Sequence, residues 1–582
     1  MKKQRLLSLL LAITTVLAMI PTLFIVAAAE RSETVTLTQK NANGYYDIPA
    51  NAAAVVIDEI TYVVIDSADQ MNSVAATGGN NYILANDLDY TGKTFQRIKI
   101  DNKIFDGNGF AMYGYTLVDS DNGSGKGVGV SSFARPATGS EVIVRNLSIG
   151  KSDAMISVSS SFADSSAGAV FEYANATHTI ENVTVYANIT GSKGNTGGFA
   201  GNIVGAMTLT NCKFYGSLTD NNSGRLGGLV GKANGAALTM TNCVNYGTVK
   251  GSSNTGGFLG EITNSAANVI AFRNCVNYGT ISSGSSTGGF IGSALNFMSL
   301  TVADCLNAGE IKGGSHTGGL AGYYSDTTTD VVRFASIGKM SGNRVGGIIG
   351  STVPGTPHSN PCVISLKDSG LIAPITSTGR RSAIIANQTG KAPTVSGLVG
   401  TDSDSNPLTS IERTTVTLET GVKWLREKFP TQLFAMSDDG LSVVIVGSND
   451  TAAVAETKFL QYKTGDSGLN IRVLGVLNDT DITKYANVGF DLTLKKNGEV
   501  KYAEVVTADT VYTSILANEE NGLTTYTAED LGATYLYALE LLNIPTEGTY
   551  TIEVHAFATE IGAATPNYDN LVVITVVNGM IQ

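Results

Sequence analysis

One unit of sequence, Gly-Gly-apolar-apolar-Gly, constrains this chain more than any other feature. It occurs at Thr196-Gly197-Gly198-Phe199-Ala200-Gly201, Leu226–Gly231, Thr255–Gly260, Thr287–Gly292, Thr317–Gly322 and Val345–Gly350, with first glycines 30, 29, 32, 30 and 28 residues apart. A second column keeps step with it: Asn182-Val183, Asn211-Cys212, Asn242-Cys243, Asn274-Cys275 and Asp304-Cys305, followed three residues later by Tyr186, Tyr215, Tyr246, Tyr278 and Ala308. Two columns at one period mean a repeated structural unit, which buries its apolar face only by stacking on its neighbours.

Between the columns lie short β-rich runs such as Ala237-Leu238-Thr239-Met240-Thr241, bounded by Gly, Asn and Ser, with no helical periodicity. Strands of about five residues separated by tight corners predict one repeat per turn, each strand pairing with its equivalents ~4.8 Å away. The Gly pairs would supply positive φ or close backbone approach. Asn182, Asn211, Asn242 and Asn274, with Asp304, would stack at one corner as a side-chain ladder. The fold expected is all-β: a right-handed parallel β-helix (β-solenoid) of about thirty residues per turn over residues 61–400. The flanking turns are degenerate, with Gly168-Ala169-Val170-Phe171 keeping the phase and Arg381-Ser382-Ala383-Ile384-Ile385-Ala386 only its shape.

These motifs resemble the GLUG-type repeats of bacterial surface proteins, β-solenoids on secreted, adhesin-like chains of Gram-positive anaerobes. The opening runs Asn81-Tyr82-Ile83-Leu84-Ala85-Asn86-Asp87-Leu88-Asp89 and Ile104-Phe105-Asp106-Gly107-Asn108-Gly109-Phe110 look like that family's first turns. The resemblance implies architecture, and hardly any particular activity.

The remaining segments divide around this block. Residues 1–29 read as a signal peptide: Met1-Lys2-Lys3-Gln4-Arg5, an apolar run from Leu6 to Val26, and Ala27-Ala28-Ala29 as the cleavage site. Residues 30–60 form an N-terminal strand or linker segment, and 401–456 a linker and C-terminal cap. A helix around Val422-Lys423-Trp424-Leu425-Arg426-Glu427 is expected to close the open end of the coil. From residue 457 to 582 longer alternating strands and the hairpin signal Lys496-Asn497-Gly498-Glu499 predict an antiparallel, immunoglobulin-like β-sandwich. It is similar to a β-sandwich module of unassigned function appended to secreted proteins of the same bacteria. No run after the signal reaches the ~20 apolar residues of a membrane span. A secreted or extracellular, surface-associated chain is the expectation.

The formal charge of −12 argues against nucleic-acid partners. Aligning the clear repeats, the position two before the Gly pair reads Asn195, Arg225, Asn254, Ser286, His316 and Arg344, and the one after the unit Asn202, Lys232, Glu261, Ser293, Tyr323 and Ser351. Neither collects the converging carboxylates of a polysaccharide lyase or glycosidase. His316 and Arg344 share a column, without an acid or nucleophile, and read as solvated turn residues. No metal or cofactor motif is present. His178, His358 and His555 are expected at the surface or at strand ends. Asp402-Ser403-Asp404-Ser405-Asn406 imitates half a calcium loop, but Pro407 and Arg413 stand where Gly and Glu are needed. Asp119-Ser120-Asp121-Asn122-Gly123 is a weaker imitation.

Of five cysteines, Cys212, Cys243, Cys275 and Cys305 fall one repeat apart. Side chains that project in parallel oppose the ~90° torsion of a disulfide, which predicts free, buried thiols. Tyr186, Tyr215, Tyr246 and Tyr278 are the candidate ligand platform, and Trp424 is the single Trp. The function expected is a non-catalytic, adhesin-like surface protein binding glycans or cell-surface proteins. A carbohydrate-active β-helix enzyme and a purely structural scaffold are the alternatives.

Overall fold

The computed structural model describes residues 32–581 apart from 42–43, 120–128, 163–164, 221, 223, 264–268, 353–361, 390, 402–403, 406–409, 430–431, 438–441, 449–454, 466–467, 478–484, 509–513, 517–519, 521, 529–530, 532–534, 561–566 and 569–571. The signal segment 1–29, His358 and most of both calcium-like runs lie outside the described residues.

The chain is all-β, and most of it forms one sheet of 41 strands. Its named strands pair in parallel, except the hairpin of Ala52–Ile57 with Ile60–Ile65, turned by Asp58 and Glu59 at positive φ. The pairing follows the repeat. Gly168 aligns with Gly197, Gly227, Gly256, Gly288, Gly318, Gly346 and finally Ser382, each one repeat from the next. The sheet also takes in Glu33–Thr36 and reaches Thr414–Thr415, beyond both limits of the 61–400 block.

Close approach explains the glycines. None of the Gly pairs in the six clear repeats has positive φ. A Cβ on the first glycine would enter backbone of its own and the next repeat, as at Gly227 against the carbonyl of Val230 and the amide of Gly260. The second glycine faces an interior side chain: Gly198 lies on Phe214, Gly228 on Asn245, Gly257 on Asn277, Gly289 on Asn307 and Gly319 on Ser336. Positive φ falls instead on Asn146, Asn182, Asn211, Asn242, Asn274 and Asp304, the corner column.

The residue after each pair, such as Phe199, Leu229, Phe258 or Phe290, is fully buried, and one hydrophobic cluster runs from Ile65 to Ile411. His178 is buried against it, contrary to the surface position expected. It pairs with Val142 and Met207 in an inward column and packs edge-on against Phe171, 4.6 Å between centroids. In this interior its Nδ1–H donates to the Ala176 carbonyl (2.8 Å), while Nε2 has no partner. Burial therefore holds its pKa down, to about 4. His555 sits half-buried in mid-strand, within Thr549–Glu560.

Helix α1, Ala68–Val74, is capped by Ser67 near the start of the sheet. Helix α2, Leu418–Lys428, has a Thr417/Thr420 capping box. The end cap expected of α2 is not what it forms. Its Val422 and Leu425, with Phe429, join Val276, Leu306, Ala335, Ile337, Ile372 and Val399 in a second cluster, so the helix covers an outward column on the side of the sheet. An apolar stripe at i, i+3 and i+7 can be buried only against an apolar surface, and that column supplies one.

Beyond it all named strand pairs are antiparallel. Ala455–Gly465, Gly468–Leu477 and Tyr535–Ile544 form one sheet. Glu499–Ala508, Tyr485–Lys496, Thr549–Glu560, Val572–Val577 and Met580–Ile581 form another, joined by Asn567–Tyr568. Both contribute to one core that includes Ile471, Val473, Phe490, Leu492, Ile552 and Val554. Asn497 and Gly498, both at positive φ, make the two-residue turn between Lys496 and Glu499. Among the described residues no helix is long and apolar enough to cross a membrane.

Two stability predictions follow from this packing. Gly257→Ala should cost about 1–3 kcal/mol or more in denaturant unfolding, whereas Gly79→Ala, whose Cβ would meet only the Thr77 carbonyl at 4.0 Å, should be near neutral. For His178 the folded pKa lies below the ordinary 6.5, so the unfolded chain binds more protons between those values. Stability should therefore fall as pH drops from about 6.5 to about 4, by up to roughly 3 kcal/mol from this residue. His178→Leu should flatten the pH–stability curve over that window.

Candidate functional site

The corner asparagines form a continuous chain of amides. Asn274 donates Nδ2–H to Oδ1 of Asn242 (2.8 Å), Asn242 to Asn211 (3.0 Å), Asn211 to Asn182 (2.9 Å), and Asn182 to Asn146 (3.0 Å). Asn146 in turn donates to Oδ1 of Asp106 (3.0 Å). An ionised carboxylate only accepts, so Asp106 sets the direction of the whole row. Asp304 has no donor to extend the ladder, and binds Arg333 of the next repeat instead, Nη2 to Oδ2 2.8 Å.

A second ladder, which the alignment of columns passed over, lies inside. Asn245, Asn277 and Asn307 are fully buried, with Nδ2 of Asn245 on Oδ1 of Asn277 (2.7 Å) and Nδ2 of Asn277 on Oδ1 of Asn307 (2.8 Å). Its signal was present in the third residue of Cys-Val-Asn-Tyr, Cys-Val-Asn-Tyr and Cys-Leu-Asn-Ala. The buried amides fit because the facing residues are glycines.

Cys212, Cys243, Cys275 and Cys305 are buried free thiols in the main core, and Cys362 is also buried and free. Cys212 donates to the carbonyls of Ile180 and Thr210, each at 3.4 Å. Burial pushes the Cys212 and Cys275 thiols up, away from the reactive thiolate.

Tyr186, Tyr215, Tyr246 and Tyr278 face outward in one stack, with centroids 4.9, 4.6 and 5.0 Å apart and planes within 12°, 6° and 1°. Their faces cover one another. The row therefore presents ring edges and hydroxyls at one strand spacing, and not the flat face on which a sugar stacks. Tyr246 is 41% exposed. Gly150 occupies the position before Tyr186, and the row ends at Ala308, where the α2 cluster takes over.

The ladder's first end opens into a polar cleft of about 180 Å³, lined in part by Lys40, Tyr46, Asp58, Arg145 and Glu181. Asp106, Arg145 and Glu181 occupy one column in successive repeats, a convergence that alignment of the clear repeats alone did not reach. Asp106 is 2% exposed and bound by Arg145 Nε (2.7 Å), Asn146 and the Asn108 amide (2.9 Å). Asn108 clamps the wall through both polar groups of the Tyr46 backbone, at 2.8 and 2.9 Å. Burial, then the Asp58 charge, raises the Tyr46 phenol above its ordinary pKa.

Two further buried acids are also committed. Glu172 is held by Arg97 and Ser131. Glu261 is held by Arg225 and Lys232, both at 3.2 Å, and by Asn254 (2.6 Å). His316 is half-buried and accepts from Arg344, Nη1 to Nε2 2.9 Å; burial and that guanidinium hold its pKa down, to about 4. Arg413 binds Asp404 (3.1 Å), a cation within the calcium-like run. Among the described residues no group of three or more His, Cys, Asp and Glu could hold a metal.

No protein-family model and no curated protein matches the chain. Among solved structures, a Bacteroides ovatus chain described as a "putative immunoglobulin A1 protease" is 17% identical, with a TM-score of 0.30, over 66% of this chain and 91% of that one. A likeness at that score carries no argument about this chain.

The amide ladder predicts a pair of effects. Asn242→Ala removes two ladder bonds and leaves a Cβ without local compensation at φ 54°. Asn242→Gly removes the same bonds but tolerates the backbone. The loss of unfolding free energy should be about 1–2 kcal/mol smaller for the Gly variant.

Proposed function

We propose that this chain is a secreted, non-catalytic, adhesin-like surface protein that binds glycans through outward columns of its repeat. In this reading the parallel sheet winds as a right-handed β-helix of about thirty residues per turn, and the C-terminal sheets form an immunoglobulin-like sandwich acting as spacer or attachment module. The resemblance to GLUG-type repeats and the leading signal sequence support export to a surface.

The observation that carries the binding reading is the row of tyrosine hydroxyls on a continuous sheet, repeated at 4.6–5.0 Å between rings. A repeating row of donors and acceptors suits a repeating polymer of hydroxyls. Cell-surface proteins are the other partner class. The non-catalytic reading is supported by three of the buried acids: Asp106, Glu172 and Glu261 each already bind a cation, while Asp220 binds no cation among the described residues and accepts from the Asn222 amide (2.7 Å). A general acid or nucleophile must instead be free to exchange a proton or attack.

The cleft favours a second reading, a carbohydrate-active enzyme, because it gathers Asp58, Asp106 and Glu181 about Arg145. One experiment separates the two: incubate the purified mature chain with a polysaccharide panel and record both retention and new reducing or unsaturated ends. Retention without new ends is expected, with Tyr215→Ala/Tyr246→Ala weakening it by about tenfold. New ends that disappear in Glu181→Gln would replace the binding reading by the enzymatic one. Neither retention nor products would leave a scaffold.

A further inference from the structure

The Gly-Gly corners bring two columns together that are separate in sequence. The residue two before a pair meets the residue after its own unit, as with Asn254 and Glu261 (2.6 Å), His316 and Tyr323 (ring centroids 5.4 Å apart) and, at the degenerate Ser382-Ala383 corner, Arg380 and Asn387 (2.7 Å), while Arg225 reaches Glu261 of the next repeat. Along this strip the described side chains carry four cations, Arg225, Lys232, Arg344 and Arg380, and one carboxylate, Glu261, in a chain of net charge −12.

The cations are not used alike. Arg225 and Lys232 share Glu261 as an ion-pair partner. Arg344 and Arg380 are paired in register in adjacent repeats, and among the described residues neither forms an ion pair. Both are instead oriented by neutral acceptors. Arg344 donates to His316 (2.9 Å), and Arg380 to Oδ1 of Asn387 (2.7 Å), whose Nδ2 is fixed by Ser351 Oγ (2.8 Å). A guanidinium has five N–H donors, so each keeps donors and a full charge for a ligand. Half-buried guanidiniums anchored this way lose little freedom when an anion binds, and adjacent strands set them roughly 4.8 Å apart.

We infer that this strip is a subsite for an acidic polysaccharide, with Arg344 and Arg380 taking its carboxylate or sulfate groups and the half-buried Tyr323 its hydroxyls, while the buried Ser351 and Asn387 hold Arg380 in place. The inference rests on the glycan-binding reading and names the class of glycan. A sparsely charged, hydroxyl-rich polymer fits two free guanidiniums among neutral polar groups. A nucleic acid would need many clustered cations to offset repulsion by the rest of the chain.

The test measures retention of the full mature chain at low salt on immobilised hyaluronate and lightly sulfated dextran, beside uncharged dextran and galactan and duplex DNA. Either acidic polymer should be retained, the two arms separating uronate from sulfate, and Arg344→Gln/Arg380→Gln should weaken retention by about tenfold or more. Lys250→Gln, an equal charge change for each site altered but away from the strip, should leave it unchanged. Arg344→Lys/Arg380→Lys keeps the charge and loses the planar fork, and should fall between the two, which guards against misfolding of the Gln variant. Unchanged retention in the Gln variant, retention of uncharged polymers alone, or equal retention of DNA would overturn the inference. Failure to retain any polysaccharide would overturn the glycan-binding reading itself.

Discussion

Everything in the main sheet depends on backbone hydrogen bonding between equivalent residues about thirty positions apart, repeat upon repeat. At this register, equivalent side chains fall one strand spacing from one another and like stacks on like. Asn meets Asn, Cys meets Cys and Tyr meets Tyr for this single reason. The glycine pairs are what permit it at the corner, because any Cβ there would enter backbone of the same or the next repeat, or an interior side chain.

The columns divide the chemistry of the molecule by direction. Inward columns are mostly apolar, and the buried Asn245, Asn277 and Asn307 bond their amides to one another and to nearby carbonyls. An unpaired amide at those positions would cost more than the ladder contributes. Outward columns carry the tyrosine row, the exposed amide ladder and the corner strip. Their groups are held by a sheet and need little ordering when a ligand arrives, which is the physical basis for reading them as binding surfaces.

The stacked tyrosines show how geometry changes the meaning of a motif. Four aromatic residues at one period invite the idea of a flat platform, yet parallel rings within 5.0 Å cover each other's faces. The row offers hydroxyls and edges. The cysteine column shows the converse, since four aligned thiols at strand spacing stay free and buried. His178 departs from its expected place because a histidine's residue type does not show which face of its strand is buried. Only its partners Val142 and Met207 reveal an inward column.

From the sequence alone came the period, the in-phase Asn, Cys and Tyr columns, the all-β class and the hairpin at Asn497-Gly498, because all are local patterns or repeats of one. Tertiary structure decided what the spacing of a motif does not contain. It chose close approach over positive φ for the glycines, placed α2 on an outward column, and brought Asp106, Arg145 and Glu181 into one column across repeats too irregular to align by eye. It also joined residues on either side of the corners, leaving Arg344 and Arg380 beside neutral partners. The reason is common to all of these. A repeat determines which residues are equivalent, whereas the path of the chain between strands determines which non-equivalent residues touch.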